Sequence, residues 1–252
     1  GVARPDWRLM FDATNQVLGG GDQEYQTEDR DRVDTVEHGR RVLFGHFARL
    51  LAARRQRPGQ DLVSTLAEAE VDEEPLTDEE ILYFCYLLIL AGNETTRNAI
   101  SGGMLALAEH PDQRAELMAD PVLLPTAIEE ILRWTSPVMH MARVATRDCE
   151  LRGRSIRRGQ KVVMWYPSAN RDEDVFPEPD RFEIERDPNE HLAFGHGEHF
   201  CLGTSLARLE LRVMFEELLR RLPDLTLAGP PERLHSTFIG GIKHMPVEFR
   251  AS

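Results

Sequence analysis

The chain is poor in the features that mark several large classes of protein. Only three cysteines occur in 252 residues, Cys85, Cys149 and Cys201, and no CxxC pair is among them. An odd count without a paired framework excludes a disulfide-stapled scaffold and points to a reducing compartment. Long apolar runs are missing too. The longest, Ile81 to Gly92, falls short of the roughly 20 residues a membrane-spanning helix needs, so no membrane span is expected. No secretory leader is read at the start, and the cytoplasm is the expected location. Excess positive charge is also absent. A net charge of −13 argues against a nucleic-acid partner. Hydrophobic residues make up 41%, enough for a sizeable core in one large domain or two small ones.

Against this background one stretch stands out, Phe194 to Gly203, which reads FGHGEHFCLG. It follows the chain-turning Asp187-Pro188-Asn189 and runs into a helical pattern from Thr204 to Leu222. Cys201 is therefore expected at the mouth of a helix N-terminus, where free N–H groups and the helix dipole favour negative charge. A thiol so placed tends to ionise, and a thiolate is a strong ligand for iron. Gly195 and Gly197 can take positive φ and bring the backbone close to a flat cofactor, with the ring of Phe194 beside it. Residue types alone leave two other readings open. A lone cysteine is often a small buried hydrophobe, and His196, His199 and Cys201 could form a zinc-binding structural module.

The order of the residues goes further. F-G-x-G-x-H-x-C-x-G resembles the haem-binding loop of the cytochromes P450 at each fixed position. Three more stretches resemble motifs of that family, in its order. Thr77 with Glu80 makes a capping box that starts a long helix, roughly Asp78 to Glu109. Its front half is apolar all round and is expected to be buried. In its middle lies Ala91-Gly92-Asn93-Glu94-Thr95-Thr96, which on local signals alone could also be a helix stop. It resembles the family's oxygen-binding motif, where the helix widens at the glycine. Glu130 and Arg133 are three apart and share a helix face. As a surface pair they would be worth little, but Glu-x-x-Arg resembles the family's buried ion pair, with Arg181 of Pro179-Asp180-Arg181-Phe182 as the third member.

The resemblance implies a mainly α fold with small β-sheets, a single domain over residues 1–252. The match begins near the middle of the family pattern, so the family's first third is expected to be missing. It implies haem b as cofactor, with Cys201 as the axial metal ligand. Ala91, Gly92, Arg143, His191, Phe194, Gly195, His199 and Gly203 join it at cofactor-binding positions. Arg143, His191 and His199 would contact the propionates; without the resemblance each is as well read as a solvated or locally bonded residue. Glu94 and Thr95 match the acid–alcohol pair that delivers protons. The implied activity is monooxygenation, placing one oxygen atom from O2 into a C–H bond of an apolar substrate with electrons from a ferredoxin-type donor. Val138, Met139, Phe238, Ile239 and the stretch Leu87 to Ala91 are pocket candidates. Their apolar character suggests a lipid, terpene or sterol-like substrate. The strings AGNETTRNAI, VVMWYPSANRDEDVF and GIKHMPVEF are similar to actinobacterial P450s that oxidise terminal carbons of sterol side chains or methyl-branched lipids. The alternative is a haem-binding but catalytically inactive fragment.

Further elements are read from periodicity. Helices are expected over Pro5 to Leu18, Glu24 to Arg57, Leu62 to Ala69, Asp112 to Ala119 and Pro121 to Trp134, strands over Met139 to Leu151 and Lys161 to Tyr166, and a hairpin around Gly240-Gly241. Leu206, Leu209, Val213, Phe215, Leu218 and Leu222 are expected to form the buried face of the last helix. Arg208 and Arg212 are read as solvent-facing, on the side where the family receives its electron donor.

Overall fold

The computed structural model describes residues 1–26 and 31–250. The chain falls into two compact units, Gly1–Thr95 and Thr96–Ser252. In the first, α1 (Trp7–Gly19) packs on α2 (Arg32–Gln56), and α3 (Leu62–Ala67) follows. The expected helix from Glu24 is interrupted: Gln23–Tyr25 is a separate 3-10 turn, and residues 27–30 lie outside the described residues. Gly39 shows how close α1 and α2 come, since a Cβ there would lie 2.7 Å from the Ala13 carbonyl. Asp61 caps α3 by accepting the Ser64 N–H at 3.0 Å. A small hairpin that sequence reading did not foresee, β1 (Glu70–Val71) with β2 (Glu74–Pro75), turns through Asp72 and Glu73 at positive φ.

Next comes α4 (Asp78–Glu109), with the expected bounds. The capping box is formed: Thr77 N–H donates to Glu80 at 2.8 Å, and Glu80 N–H to the Thr77 hydroxyl at 3.3 Å. The helix runs uninterrupted through Gly92 and Asn93, as an α-helix throughout. Neither a stop nor a widened turn occurs there. Its front half is not buried all round. Ile81 and Cys85 enter the core of the first unit, while Tyr83 is 51% and Leu87 59% exposed. An all-apolar helix surface reports no direction, so the sequence could not say which stripe faces the core.

The second unit starts inside α4. Its core gathers Met104 and Leu107 of α4, Leu117 of α5 (Pro111–Ala119), Ile128 and Ile131 of α6 (Leu124–Thr135), and Leu211 and Phe215 of the last long helix. Strands β3 (His140–Val144), β4 (Cys149–Leu151), β5 (Arg154–Ile156) and β6 (Lys161–Trp165) form two antiparallel pairs, β3–β6 and β4–β5. A short α7 (Tyr166–Ala169) leads into a Pro-rich coil. After α8 (Thr204–Arg221), β7 (Thr226–Leu227) pairs with β10 (Val247–Glu248), and β8 (Glu232–Arg233) with β9 (Ile242–His244). On α8 the inward stripe is Thr204, Leu211 and Phe215, with Leu218 and Leu222 partly buried. Leu206, Leu209 and Val213 are instead 59%, 56% and 48% exposed. The helix carries two apolar stripes, and the expected buried face had mixed them.

Gly103 marks a close crossing in this unit. A Cβ there would meet Ile131 at 2.6 Å and Phe215 at 2.7 Å, both rigidly packed. Gly103→Ala is therefore predicted to destabilise by about 1–3 kcal/mol through overpacking, despite alanine's better helix propensity. A urea denaturation midpoint at or above that of the parent would refute this.

Candidate active site

The loop around Cys201 is held by short backbone bonds. Gly195 N–H donates to the Leu192 carbonyl, Phe200 N–H to Gly197, and Cys201 N–H to Phe194, each at 2.9 Å. Gly195 and Gly197 have φ of +74° and +75°, the left-handed region that glycine permits. Gly203 is the N-cap of α8, and Cys201 lies just ahead of it, a free and partly exposed thiol. Phe200 and Leu202 beside it are exposed, Leu202 by 81%. Asn170, fully buried, reaches the loop: its oxygen accepts Leu192 N–H at 2.7 Å, and its amide donates to Ser136 at 2.8 Å.

The coil between α7 and the loop has no ladder of its own, so its polar groups need partners. Glu130 and Arg133, both 0% exposed, supply them. They pair through two bonds of 2.7 and 2.8 Å. Arg133 also donates to the carbonyls of Asn170, Pro179 and Arg181, and Glu130 accepts Glu183 N–H at 2.9 Å. The third charge is not that of Arg181. Its side chain is 56% exposed and bonds Glu178, while only its carbonyl joins the network. Arg186, 4% exposed, reaches Glu130 at 3.2 Å and donates to the Pro177 carbonyl at 2.7 Å. Both arginines lie in the same coil, and no periodicity distinguishes the one that turns inward.

Glu129, next in sequence to Glu130, builds a second cluster. It accepts Arg208 Nε at 2.6 Å and Nη2 at 2.7 Å, and lies 3.0 Å from His191 Nε2. Burial raises its pKa, but the bonds from Arg208 and His191 outweigh this and bring it from 4.5 to about 2. The Arg208 pKa is raised, chiefly by the Glu129 hydrogen bond, with a smaller electrostatic contribution from Cys201. The Arg208 guanidinium lies 4.8 Å from the centre of the Phe194 ring. Ala193 N–H donates to His191 Nδ1 at 3.3 Å, which leaves Nε2–H to donate to Glu129. Both His191 nitrogens are thus engaged within the chain, contrary to the propionate contact expected of it. Nor is Arg208 a free surface cation; Arg212 pairs on the exposed face with Glu216 at 2.8 Å. Arg143, exposed on β3, donates to the carbonyl of neighbouring Ala142, and His199 is exposed in a 3-10 turn.

At the end of the first unit, Ala91 and Gly92 are exposed and Glu94 is 1% exposed. The Thr95 hydroxyl donates to the Ala91 carbonyl at 2.6 Å, one turn back. Asn93 donates to Thr14 at 2.7 Å. Within the second unit the structure brings the other pocket candidates together. Val138 bridges Ile239, and Met139 N–H donates to the Phe238 carbonyl at 2.9 Å.

A sequence model described as Cytochrome P450 matches residues 26–227. The chain belongs to the cytochrome P450 family. It is 49% identical over 250 residues to a methyl-branched lipid omega-hydroxylase of Mycobacterium tuberculosis, covering 98% of this chain and 57% of that protein. A steroid C26-monooxygenase of the same species is 50% identical over 215 residues, 84% of this chain and 58% of the relative. Among solved structures, a Mycobacterium marinum P450 in complex with pseudoionone superposes with a TM-score of 0.94 at 43% identity, over 99% of this chain and 60% of that one. The chain thus spans somewhat over half the length of these P450s.

Family and fold imply haem b, and the donor set fits it. Among the described residues no group of three or more His, Cys, Asp or Glu side chains could hold a metal ion, so His196, His199 and Cys201 form no zinc site. A single soft sulfur with exposed apolar neighbours suits iron that brings its remaining ligands in a flat macrocycle. Also among the described residues, no helix is long and apolar enough to cross a membrane.

Two outcomes follow from the ion pairs. Arg186→Ala should cost about 1–3 kcal/mol by taking one charged donor from Glu130 and leaving the Pro177 carbonyl without its partner, whereas Arg181→Ala should cost clearly less, no more than about 1 kcal/mol; equal losses in chemical denaturation would contradict the assignment. The lowered Glu129 pKa stabilises the fold above pH 4.5, and that contribution, about 3 kcal/mol, is lost as the pH falls towards 2. Glu129→Gln should flatten this part of an acid-stability curve.

Proposed function

We propose that this P450 chain carries haem-thiolate monooxygenase chemistry on an apolar substrate of the lipid or sterol type, with electrons from a ferredoxin-type donor. The observation that supports it most is the Cys201 loop, where the lone sulfur follows two positive-φ glycines and precedes a helix N-terminus. Haem, when bound, supplies the oxygen activation by which one atom of O2 enters a C–H bond, consuming two electrons and two protons.

The chain's residues do the rest. Cys201 would hold the metal and would supply it with electron density. Glu94 and Thr95 hold and pass the protons. The resting Thr95 hydroxyl gives its own hydrogen to Ala91, so its oxygen lone pairs remain for an incoming donor. Gly195 and Gly203 offer backbone without bulk at the cofactor, and Arg143 and His199 are the exposed polar groups for its carboxylates. Val138, Met139, Phe238 and Ile239 supply an apolar wall that orients substrate and excludes water. The two relatives named as a methyl-branched lipid omega-hydroxylase and a steroid C26-monooxygenase favour a terminal carbon of a branched or sterol-like chain.

A second reading, haem binding without turnover, draws on the uncovered apolar side chains. Leu202, Leu206, Leu209 and Val213 on and before α8, and Tyr83 and Leu87 on α4, are surfaces that a water-excluding oxygenase would cover.

The test is the spectrum of the reduced, haem-loaded chain with carbon monoxide. A strongly red-shifted Soret band is expected, and Cys201→Ser should abolish it. No such band in the parent would defeat the oxygenase reading. A band without product from branched lipids or sterols, given a reductase and ferredoxin, would select the second. Thr95→Ala should keep the band and divert electrons to peroxide; unchanged coupling would remove Thr95 from proton delivery.

A further inference from the structure

Resting on that reading, we propose that Glu129 is a positioning residue for the Cys201 ligand and acts through Arg208. One carboxylate fastens α6 to both ends of the loop, to His191 ahead of the cysteine and to Arg208 behind it. It thereby fixes where the guanidinium charge sits.

The geometry forms a continuous chain of contacts. The Glu129–Arg208 pair is bidentate, at 2.6 and 2.7 Å, the arrangement that gives a guanidinium a single orientation. Arg208 then lies over the Phe194 ring at 4.8 Å, and the Phe194 carbonyl accepts the Cys201 N–H at 2.9 Å. On the other side the His191 side chain, 3% exposed, has both nitrogens spent on Glu129 and Ala193 N–H. It serves as a strut, with no N–H to offer a cofactor carboxylate. The Cys201 sulfur also contributes, as the smallest cause, to the raised Arg208 pKa.

A thiolate's donor strength depends on the charges and hydrogen bonds around it. With Glu129 ionised, Arg208 is one half of a neutral pair. With glutamine there, Arg208 becomes an uncompensated cation, which stabilises negative charge on sulfur and weakens its donation to the metal. The reduction potential should then rise.

The test uses the whole chain in two forms. In the haem-loaded protein, Glu129→Gln should shift the potential upward and Arg208→Gln should shift it downward. The double variant should return towards the parent, because both charges are gone. In the haem-free protein, hydrogen exchange at the Gly195, Phe200 and Cys201 amides should become several-fold faster in Glu129→Gln. Arg208→Lys guards against a variant that fails to fold. It keeps the charge and loses the fork, so exchange should quicken while the potential stays near the parent value. An unmoved potential with a lowered unfolding midpoint would make Glu129 a structural tie only and overturn the proposal. Unchanged loop exchange would overturn it without recourse to haem. Failure of the parent to give the carbon monoxide band sinks the proposed function instead, and the exchange measurement still decides the tether.

Discussion

A carboxylate and a guanidinium withdrawn wholly from water, Glu130 and Arg133, hold the second unit in shape. Charges in that position are costly unless each lone pair and proton finds a partner. Here each does. Glu130 takes bonds from Arg133, Arg186, Asn189 and the Glu183 N–H, and Arg133 fills three carbonyls of a coil that has no sheet to belong to. The coil runs straight into the cysteine loop, so the position of the sulfur depends on that exchange of bonds.

Adjacent residues on one helix divide the labour. Glu130 points its bonds to the coil before the loop, and Glu129, about 100° around the helix, takes His191 and Arg208 on either side of the cysteine. The two carboxylates differ in burial, 0% against 28% exposed, and in partners. The first is a permanent internal tie. The second keeps some contact with solvent and leaves a titratable, charged link near the ligand.

The turn carrying Phe238 and Ile239 is zipped to Pro137–Met139 by backbone bonds and is also pinned to α4. Asn98 accepts the Ile242 N–H at 3.3 Å, and Gly241 lies so close that a Cβ would come within 2.7 Å of its oxygen. A turn held by main-chain bonds keeps its shape whatever side chains decorate it.

Much was legible without coordinates where the signal is local. The Thr77–Glu80 cap, the bounds of α4, the strand over Lys161 to Trp165 and the positive φ of Gly195 and Gly197 follow from short-range sterics and hydrogen bonding, which the chain carries in its own order. The cysteine motif and the family were legible for the same reason. Direction was not. Which stripe of α8 faces inward, whether Arg181 or Arg186 joins Glu130, and what His191 and Arg208 hold were decided only when distant segments came together. Periodicity tells how side chains repeat around an axis, but the partner that fills a given side is set by packing and charge neutralisation across the fold.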